Sequence, residues 1–217
     1  MIVDERVSCY IKSLTACNSN FLEELREKAL EDKVPIIKRE TESLLKTLLL
    51  LKKPKKILEV GTAVAYSSLV MAEVLEGKTK ISTIENYEKR VLEARKNIKD
   101  SHYSNIIHLI EEDASKVLKE LVEKEEKYDF IFMDAAKGQY INWLEPVIKL
   151  LNKEGVLCSD NVLQGGDIVQ SRYLIERRDR SIHSRLREYL YELTHREELS
   201  TTILSLGDGV ALTVLKK

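Results

Sequence analysis

Short apolar runs alternate with helix-length segments through most of the chain. The runs are four to six residues long and rich in Ile, Val, Leu and Phe, which is typical of buried strands. Strands separated by helices form a parallel sheet with helices on both faces. The predicted strands are Ile57–Val60, Lys80–Ile84, Ile106–Ile110, Tyr128–Met133 and Gly155–Cys158.

A helical segment precedes this alternation. Asn20–Glu31 and Thr41–Leu51 have the apolar spacing of helices, and Asn20 with Glu23 forms a capping pattern at the start of the first. The basic, Pro-containing stretch 52–56 then leads into the first strand. We therefore predict a single domain, residues 1–217, in which a helical cover at 1–53 precedes an α/β core at 54–217.

The end of the chain departs from the alternation in a different way. A helix is predicted from about Ser171 to Thr194, followed by strands at Thr201–Leu204 and Val210–Val214. The Gly-Asp-Gly turn at 207–209 joins these two strands into an antiparallel hairpin. We expect a seven-stranded, mostly parallel sheet that ends in this hairpin.

Composition narrows the class of protein. The 217 residues include 43% hydrophobic side chains but only 8 Gly and 3 Pro, which excludes a disordered or collagenous chain. The densest apolar run, Leu44–Leu51, is far shorter than the roughly 20 residues of a membrane span. The charged start, Met1–Arg6, lacks the apolar stretch of a signal peptide. We expect a cytoplasmic protein without a membrane partner.

Cysteine content and net charge exclude two further classes. Cys9, Cys17 and Cys158 contain no C-x-x-C pair, so we expect buried free thiols rather than disulfides or a zinc site. A formal net charge of −1 excludes a protein that coats nucleic acid through its overall charge. A local basic face remains compatible with this charge.

The residues that follow the first three predicted strands favour a nucleoside ligand, because ligands of open α/β sheets bind at the carboxyl ends of the strands. The turn Gly61–Ser67 is rich in small residues but lacks the G-x-G-x-x-G fingerprint of dinucleotide sites. Glu85 suits the two hydroxyls of a ribose, and Asp113 with Ala114 suits an adenine amino group. The alternative interpretations are a turn without a ligand at Gly61–Ser67, a solvated side chain at Glu85 and a helix N-cap at Asp113.

The ends of the fourth and fifth strands carry the strongest chemical signal. Asp134, Asp160 and Asn161 offer hard oxygen ligands from adjacent strand ends, which suits Mg²⁺ with open coordination positions. A cation beside Lys137 would destabilise its protonated form and make it a candidate general base. The alternatives are helix capping by the two aspartates and a solvated ammonium at Lys137.

Together these motifs resemble the S-adenosylmethionine-dependent, divalent-cation-dependent O-methyltransferases of the catechol and caffeoyl-CoA type. The resemblance runs from Val34 to the terminal hairpin and implies the Rossmann-like fold of class I methyltransferases, usually as a homodimer. Its anchors are Ile57–Thr62 with Tyr66 and Ser67, Glu85, Asp113 with Ala114, Asp134–Lys137 with Tyr140, Asp160–Leu163 and Gly207–Gly209.

The resemblance also implies roles for individual residues. Asp134, Asp160 and Asn161 would bind Mg²⁺ or another divalent cation, and Lys137 with Asp134 would be catalytic. Ala65 stands where the family has a second glycine, and its methyl group is expected to narrow the cofactor groove. The residues implied to bind S-adenosylmethionine are Val34, Glu59, Gly61, Thr62, Tyr66, Ser67, Glu85, Asp113, Ala114 and Asp134.

An arginine-rich segment bears on the acceptor. Residues 171–187 hold six arginines and two acids, a local balance of +4 that suits RNA phosphates or an ordinary solvated helix face. The stretch from Ile182 to His195 resembles the family members that methylate 5-hydroxyuridine at the tRNA wobble position to 5-methoxyuridine. This likeness implies the tRNA anticodon loop as partner. The arginines implied in RNA contact are Arg172, Arg177, Arg178, Arg180, Arg185 and Arg187.

Three other functions are weighed against tRNA methylation. A small-molecule O-methyltransferase for catechol-like phenols would keep the cofactor and metal sites and make the arginines incidental. A non-catalytic RNA- or nucleotide-binding module would fit a cofactor site that Ala65 has inactivated. A nicotinamide oxidoreductase is disfavoured because the Gly-rich fingerprint is absent.

Overall fold

The computed structural model describes residues 4–216 and has the predicted architecture. The predicted domain limits, Met1 and Lys217, lie outside the described residues. The strands are β1 (Lys56–Val60), β2 (Lys80–Ile84), β3 (Ile107–Ile110), β4 (Tyr128–Met133), β5 (Leu151–Ser159), β6 (Leu199–Leu204) and β7 (Val210–Leu215). The helices are α1 (Glu5–Leu14), α2 (Asn20–Glu31), α3 (Arg39–Lys52), α4 (Tyr66–Val74), α5 (Glu88–Asp100), α6 (Ala114–Glu123), α7 (Tyr140–Leu150) and α8 (Arg180–His195).

The seven strands form one sheet in the order β3-β2-β1-β4-β5-β7-β6. Strands β1 to β5 pair in parallel, and β7 is antiparallel to both β5 and β6. The chain moves outward from β1 to β3 and then crosses to the other side of β1 to form β4. This reversal separates the loops that follow β1 and β4, so a crevice opens between them at the carboxyl ends of the strands.

Helices cover both faces of the sheet, as the sequence predicted. Successive strand residues point to opposite faces, so Ile57 packs in one apolar cluster and Leu58 in the other. The first cluster includes Leu22 and Leu45 from α2 and α3, and the second includes Tyr189 from α8. The N-terminal helices therefore share a core with the sheet.

Two predicted boundaries differ from the structure by more than two residues. Strand β5 begins at Leu151 rather than Gly155, because Leu151 pairs with Tyr128 before the register with β4 shifts. The predicted helix from Ser171 begins only at Arg180. Ahead of it, the Ser171 side chain accepts a hydrogen bond from the Tyr173 amide and starts a separate 3₁₀ turn.

The cysteines are free, as expected, but only Cys158 is buried. Cys9 lies on α1, which has no buried residue, and Cys17 lies in the connection to α2, so both are exposed. The expectation of buried thiols is therefore wrong for these two. Within residues 4–216, no helix has the length and apolar character needed to cross a membrane.

Candidate active site

A cavity of about 830 Å³ lies over the carboxyl ends of the central strands. It is lined by the turn after β1, the ends of β2, β4 and β5, the start of α6 and the segment 35–38 that precedes α3. The predicted site residues that line it are Gly61, Thr62, Tyr66, Ser67, Glu85, Asp113, Ala114, Asp134, Lys137, Asp160 and Asn161.

The turn after β1 depends on Gly61. Its φ of +102° is in the region that favours glycine, and a Cβ atom there would lie 2.1 Å from the Asp134 carbonyl oxygen. The Gly61 amide also donates to the Ile84 carbonyl at 3.1 Å, so the turn is held between β2 and β4. This close packing brings the start of α4 and the end of β4 to the same cavity.

Ala65 does not narrow the cavity, contrary to the expectation from sequence. Its φ is +65°, and its fully buried methyl group packs in the core with residues such as Leu69. The neighbouring Ala63, with a φ of +47°, lines the cavity instead.

Glu59 lies beneath the cavity and does not line it. The carboxylate is fully buried and accepts hydrogen bonds from the hydroxyl groups of Ser67, Ser68 and Thr83. Burial raises the pKa of Glu59 to about 7, although these three hydroxyl groups oppose the shift. The role that the geometry supports is to hold the start of α4 against β1 and β2, rather than to contact a cofactor directly.

Val34 also stands outside the cavity. Its side chain is buried, and its amide donates to the Ala29 carbonyl at 2.8 Å at the end of α2. The residues directly after it, Pro35 to Lys38, line the cavity in its place. The resemblance thus assigned to the cofactor a core residue that lies next to the segment lining the cavity.

Glu85 and Asp113 both line the cavity, and backbone amides orient both carboxylates. The Glu85 carboxylate accepts from the Ala63 amide at 2.9 Å and from the Asn86 and Tyr87 amides at 3.0 Å. Asp113 caps α6 by accepting from the Ser115 amide at 2.9 Å. The N-cap interpretation of Asp113 is thus confirmed, and capping leaves its carboxylate at the cavity wall.

Trp143 is a cavity residue that the sequence analysis missed. It lies on α7, and its indole N–H donates to the Ser115 hydroxyl at 2.9 Å. This tryptophan is the only one in the chain, which is the signal that could have drawn attention to it. Its ring adds an apolar wall at the end of the cavity where Asp113 and Ala114 lie.

The predicted metal ligands meet at the ends of β4 and β5. Met133 and Ser159 are in register, so Asp134 and Asp160 follow directly at adjacent strand ends. The buried Tyr140 hydroxyl lies 3.0 Å from the Met133 carbonyl and 3.2 Å from the Asp160 carbonyl, which ties the two strand ends together.

The electrostatics of this end suit a divalent cation. Burial and the nearby Asp134 carboxylate raise the pKa of Asp160 to about 7, because negative charge there is poorly compensated. Two carboxylates and the Asn161 amide are hard donors of the kind that Mg²⁺ prefers. Across residues 4–216, no three His, Cys, Asp or Glu side chains form a metal-binding group, and Asn161 is the third oxygen donor in the predicted set.

Lys137 is placed beside this donor set. It begins a 3₁₀ turn after β4, and its Nζ lies 3.2 Å from Asp134 Oδ1. Lys137 also lines the cavity and is only partly exposed. An amine at this position can exchange a proton with an acceptor hydroxyl in the cavity.

The six arginines do not form one free surface, and none of them lines the cavity. Arg178 pairs with Glu176 at 3.0 Å and with Asp179 at 3.4 Å. Arg172 and Arg177 make no ion pair with any of residues 4–216. The other three each donate to a backbone carbonyl at 3.0 Å: Arg180 to Ile175, Arg185 to Gly138 and Arg187 to Ile168.

An ion pair that the sequence analysis missed lies at the cavity. Lys38 Nζ contacts Asp208 Oδ1 at 2.7 Å, and both residues line the cavity. Asp208 lies in the Gly-Asp-Gly turn, which was predicted as a hairpin turn and used as an anchor of the family resemblance, but not as part of the site. The two residues are 170 positions apart, so their pairing could not be inferred from local sequence.

Comparison with known proteins agrees with this geometry. The fold, with its cavity at the reversal point of the sheet, defines a class I methyltransferase. The sequence model of the O-methyltransferase family matches residues 12–217, and the chain belongs to that family of S-adenosylmethionine-dependent enzymes. The flavonoid 3',5'-methyltransferase of Vitis vinifera is 33% identical over 172 residues, which are 76% of this chain and 72% of that protein.

Solved structures are similar over nearly the whole chain. A Staphylococcus aureus protein provisionally named a caffeoyl-CoA O-methyltransferase is 31% identical, with a TM-score of 0.88 and coverage of 98% of this chain and 100% of that one. A Podospora anserina methyltransferase, solved with S-adenosylhomocysteine (SAH) bound, is 25% identical, with a TM-score of 0.87 and coverage of 98% and 95%.

Proposed function

We propose that this protein transfers a methyl group from S-adenosylmethionine to one of two adjacent oxygens on a small catechol-like aromatic acceptor, with the help of a divalent cation. The observation that carries the proposal is the donor set of Asp134, Asp160 and Asn161 at one end of the cavity. The carboxylates of Glu85 and Asp113, which accept hydrogen bonds from the Ala63 and Ser115 amides, line the same cavity and suit the nucleoside part of the cofactor.

The chemistry divides between the bound groups and the protein. S-adenosylmethionine supplies a methyl group already activated on a sulfonium, and a divalent cation would polarise two adjacent oxygens of the acceptor. Lys137 in its neutral form would accept the proton of the acceptor hydroxyl, whose oxygen takes the methyl group, and S-adenosylhomocysteine would be the leaving group. Asp134 orients Lys137 through their 3.2 Å contact, and Trp143 forms part of the apolar wall. The protein contributes mainly alignment and charge.

Two observations favour a small acceptor over RNA. The grape relative acts on flavonoids according to its name, and it aligns with three quarters of this chain. Four of the six arginines are engaged with protein groups, which leaves Arg172 and Arg177 as the two whose side chains make neither a hydrogen bond nor an ion pair within residues 4–216.

A second candidate is the methylation of 5-hydroxyuridine at the tRNA wobble position to 5-methoxyuridine. The observation that favours it is the segment 172–177, which begins with a 3₁₀ turn and in which Tyr173, between Arg172 and Arg177 in the sequence, is 85% exposed. An exposed aromatic ring beside two cations suits a base and its phosphates. The 5-hydroxyl and 4-carbonyl oxygens of that base are also adjacent, so the same donor set would serve.

One experiment separates these candidates. The protein is incubated with methyl-labelled S-adenosylmethionine, Mg²⁺, catechol and tRNA that carries 5-hydroxyuridine, and each acceptor is then analysed by mass spectrometry. We expect label in catechol and loss of turnover in excess chelator. Label in RNA alone would support the second candidate, and full turnover in chelator would refute the role of the cation.

Two sets of variants sharpen this assay. Asp160→Asn should lower turnover at least about a hundredfold while SAH binding persists, whereas the exposed Asp167→Asn should have little effect. If RNA is the acceptor, Arg172→Ala with Arg177→Ala should weaken tRNA binding and flatten its salt dependence. The exposed Lys96→Ala with Lys99→Ala removes the same charge on α5 and serves as the control.

The expected homodimer stays a prediction, which light scattering in solution would test.

A further inference from the structure

Asp208 links two parts of the cavity wall that are far apart in sequence. One carboxylate oxygen, Oδ1, pairs with Lys38 Nζ at 2.7 Å. The other, Oδ2, accepts a hydrogen bond from Asn161 Nδ2 at 3.4 Å. Asp208 therefore contacts the amide that the proposed function assigns to the cation, although it was not itself predicted as a site residue.

The backbone around Asp208 is built to hold this position. The Val162 and Leu163 amides, directly after Asn161, donate to the Gly209 and Asp208 carbonyls at 3.0 Å each. Gly209 has a φ of +93°, and a Cβ atom there would lie 2.3 Å from the Leu163 side chain. The turn is thus packed directly on the segment that carries Asn161. This packing fixes the backbone of Asp208 beside Asn161, so the contact does not depend on a freely moving surface side chain.

The contact has a chemical consequence for Asn161. A side-chain amide has one oxygen that can bind a cation and one NH₂ group that can only donate. An acceptor at Asp208 holds the NH₂ group and leaves the oxygen facing away from Asp208. Without it, rotation of the amide by 180° would present the NH₂ group to the cation.

We propose that Asp208 is a positioning residue that selects the metal-binding orientation of the Asn161 amide. Lys38 occupies the second oxygen of Asp208 and balances its charge, which keeps Asp208 engaged with Asn161 instead of entering the donor set. This inference rests on the metal site of the proposed function, and outer groups of this kind commonly orient metal ligands.

The test measures cation binding rather than turnover. Mn²⁺ is titrated into the protein in the presence of SAH, and free Mn²⁺ is followed by electron paramagnetic resonance. Asp208→Ala should weaken Mn²⁺ binding about tenfold. Asp208→Asn keeps an oxygen that can accept from Asn161, so it should remain within about threefold of the unmodified protein. The exposed Asp167→Ala removes a nearby charge without contacting Asn161 and should have no effect.

A double-mutant comparison excludes a general structural role. In an Asn161→Ala background, Asp208→Ala should cause no further loss of Mn²⁺ binding, because the amide it orients is gone. Equal losses of Mn²⁺ binding in Asp208→Asn and Asp208→Ala would overturn the proposal, because the negative charge of Asp208 alone would then explain its effect. Unchanged Mn²⁺ binding in Asp208→Ala would also overturn it. If Asn161→Ala itself binds Mn²⁺ normally, the metal site fails together with this inference. Unchanged SAH binding and melting temperature would verify that each variant folds.

Discussion

Gly61 is the residue on which the geometry of the cavity most depends. Gly61→Ala would place a methyl group 2.1 Å from the Asp134 carbonyl oxygen at a φ of +102°. Backbone strain and overpacking each cost of the order of 1–3 kcal/mol, so the free energy of unfolding should fall by about 3 kcal/mol. Urea unfolding measures this loss, and calorimetry should show weakened SAH binding.

Gly138→Ala is the matched control for this prediction. Gly138 lies in the 3₁₀ turn after β4, and a Cβ atom there would lie 3.6 Å from Ile182, an ordinary contact. Its unfolding free energy should change by less than about 1 kcal/mol. If both variants unfold alike, the close approach at Gly61 does not control stability.

Ala65 shows how two opposing effects cancel at one residue. Ala65→Gly would relieve about 1 kcal/mol of left-handed strain, but it would lose about 0.8 kcal/mol of methyl burial and add chain entropy to the unfolded state. We expect a net change below about 1 kcal/mol in urea unfolding.

The Ala65 methyl group points into the core, so SAH affinity should also change by less than about twofold. Ala114→Leu, which adds bulk inside the cavity wall, should weaken SAH binding about tenfold in the same calorimetric assay. Stronger SAH binding by Ala65→Gly would instead support the earlier expectation that this methyl group narrows the groove.

The site residues divide into those that local sequence could predict and those that it could not. Asp134 and Asp160 were predictable because each directly follows an apolar strand, and parallel strands end at one edge. Lys38 and Asp208 were not, because their contact joins the N-terminal segment to the terminal hairpin. Glu59 was assigned to the cofactor through the family resemblance, and its position two residues before Gly61 does not show whether its side chain lies at the cavity or beneath it.

At the scale of elements, Glu42 holds the N-terminal helices to the core. It is fully buried on α3 and accepts from Asn18 at 2.9 Å and from the Tyr66 hydroxyl at 2.7 Å. Lys46 lies 2.9 Å away. Burial alone would raise the pKa of Glu42, but the hydrogen bonds from Lys46, Tyr66 and Asn18 outweigh it and the net shift is downward. The carboxylate thus links α3 to α4, whose first residue is Tyr66.

Glu42→Ala should lower the free energy of unfolding by about 3 kcal/mol, because it leaves Lys46 and neighbouring cations without their buried partner. Urea unfolding measures this change. Glu27→Ala on the exposed side of α2 is the control and should cost less than about 0.5 kcal/mol. Equal losses would mean that the Glu42 cluster contributes no more than a surface charge.

The type of an element could be predicted where the period of its apolar residues agrees with their burial. The predicted boundaries were wrong where tertiary contacts determine where an element begins. The strands of the sheet centre are buried on both faces and appear in the sequence as continuous apolar runs. The start of α8 was misplaced because residues 171–179 have helix-compatible side chains but are held in 3₁₀ and turn conformations. Arg180 contributes to this by donating to the Ile175 carbonyl.

In the molecule as a whole, the parallel sheet determines where the cavity lies. It also brings acidic groups together beside the cavity, which raises the electrostatic free energy of the folded protein. Every central strand points its carboxyl end at the same edge, so acidic groups from β1, β4 and β5 gather around one buried region. Glu59 and Asp160 both have a pKa raised to about 7 as a result of burial. The arrangement that suits a cation and a nucleoside therefore makes the folded protein sensitive to pH.

This sensitivity has a definite direction. Glu59 has an ordinary pKa of 4.5 and a folded value of about 7, so between these values the folded protein binds more protons than the unfolded chain. Its stabilising contribution is complete below about pH 4.5 and is lost as the pH rises through 7, a change of about 3 kcal/mol at 1.36 kcal/mol per pKa unit. Asp160 should act in the same direction in chelator.

Glu59→Gln should therefore flatten, without abolishing, the fall in unfolding free energy between pH 5 and pH 8. The amide cannot ionise, while Asp160 still titrates, so about half of the slope should remain. Urea unfolding in chelator at both pH values measures the slope, with the exposed Glu24→Gln as the control that should match the unmodified protein. A Glu59→Gln variant with the full slope would show that Glu59 stays ionised beneath the cavity, and that its three hydroxyl partners compensate its burial completely.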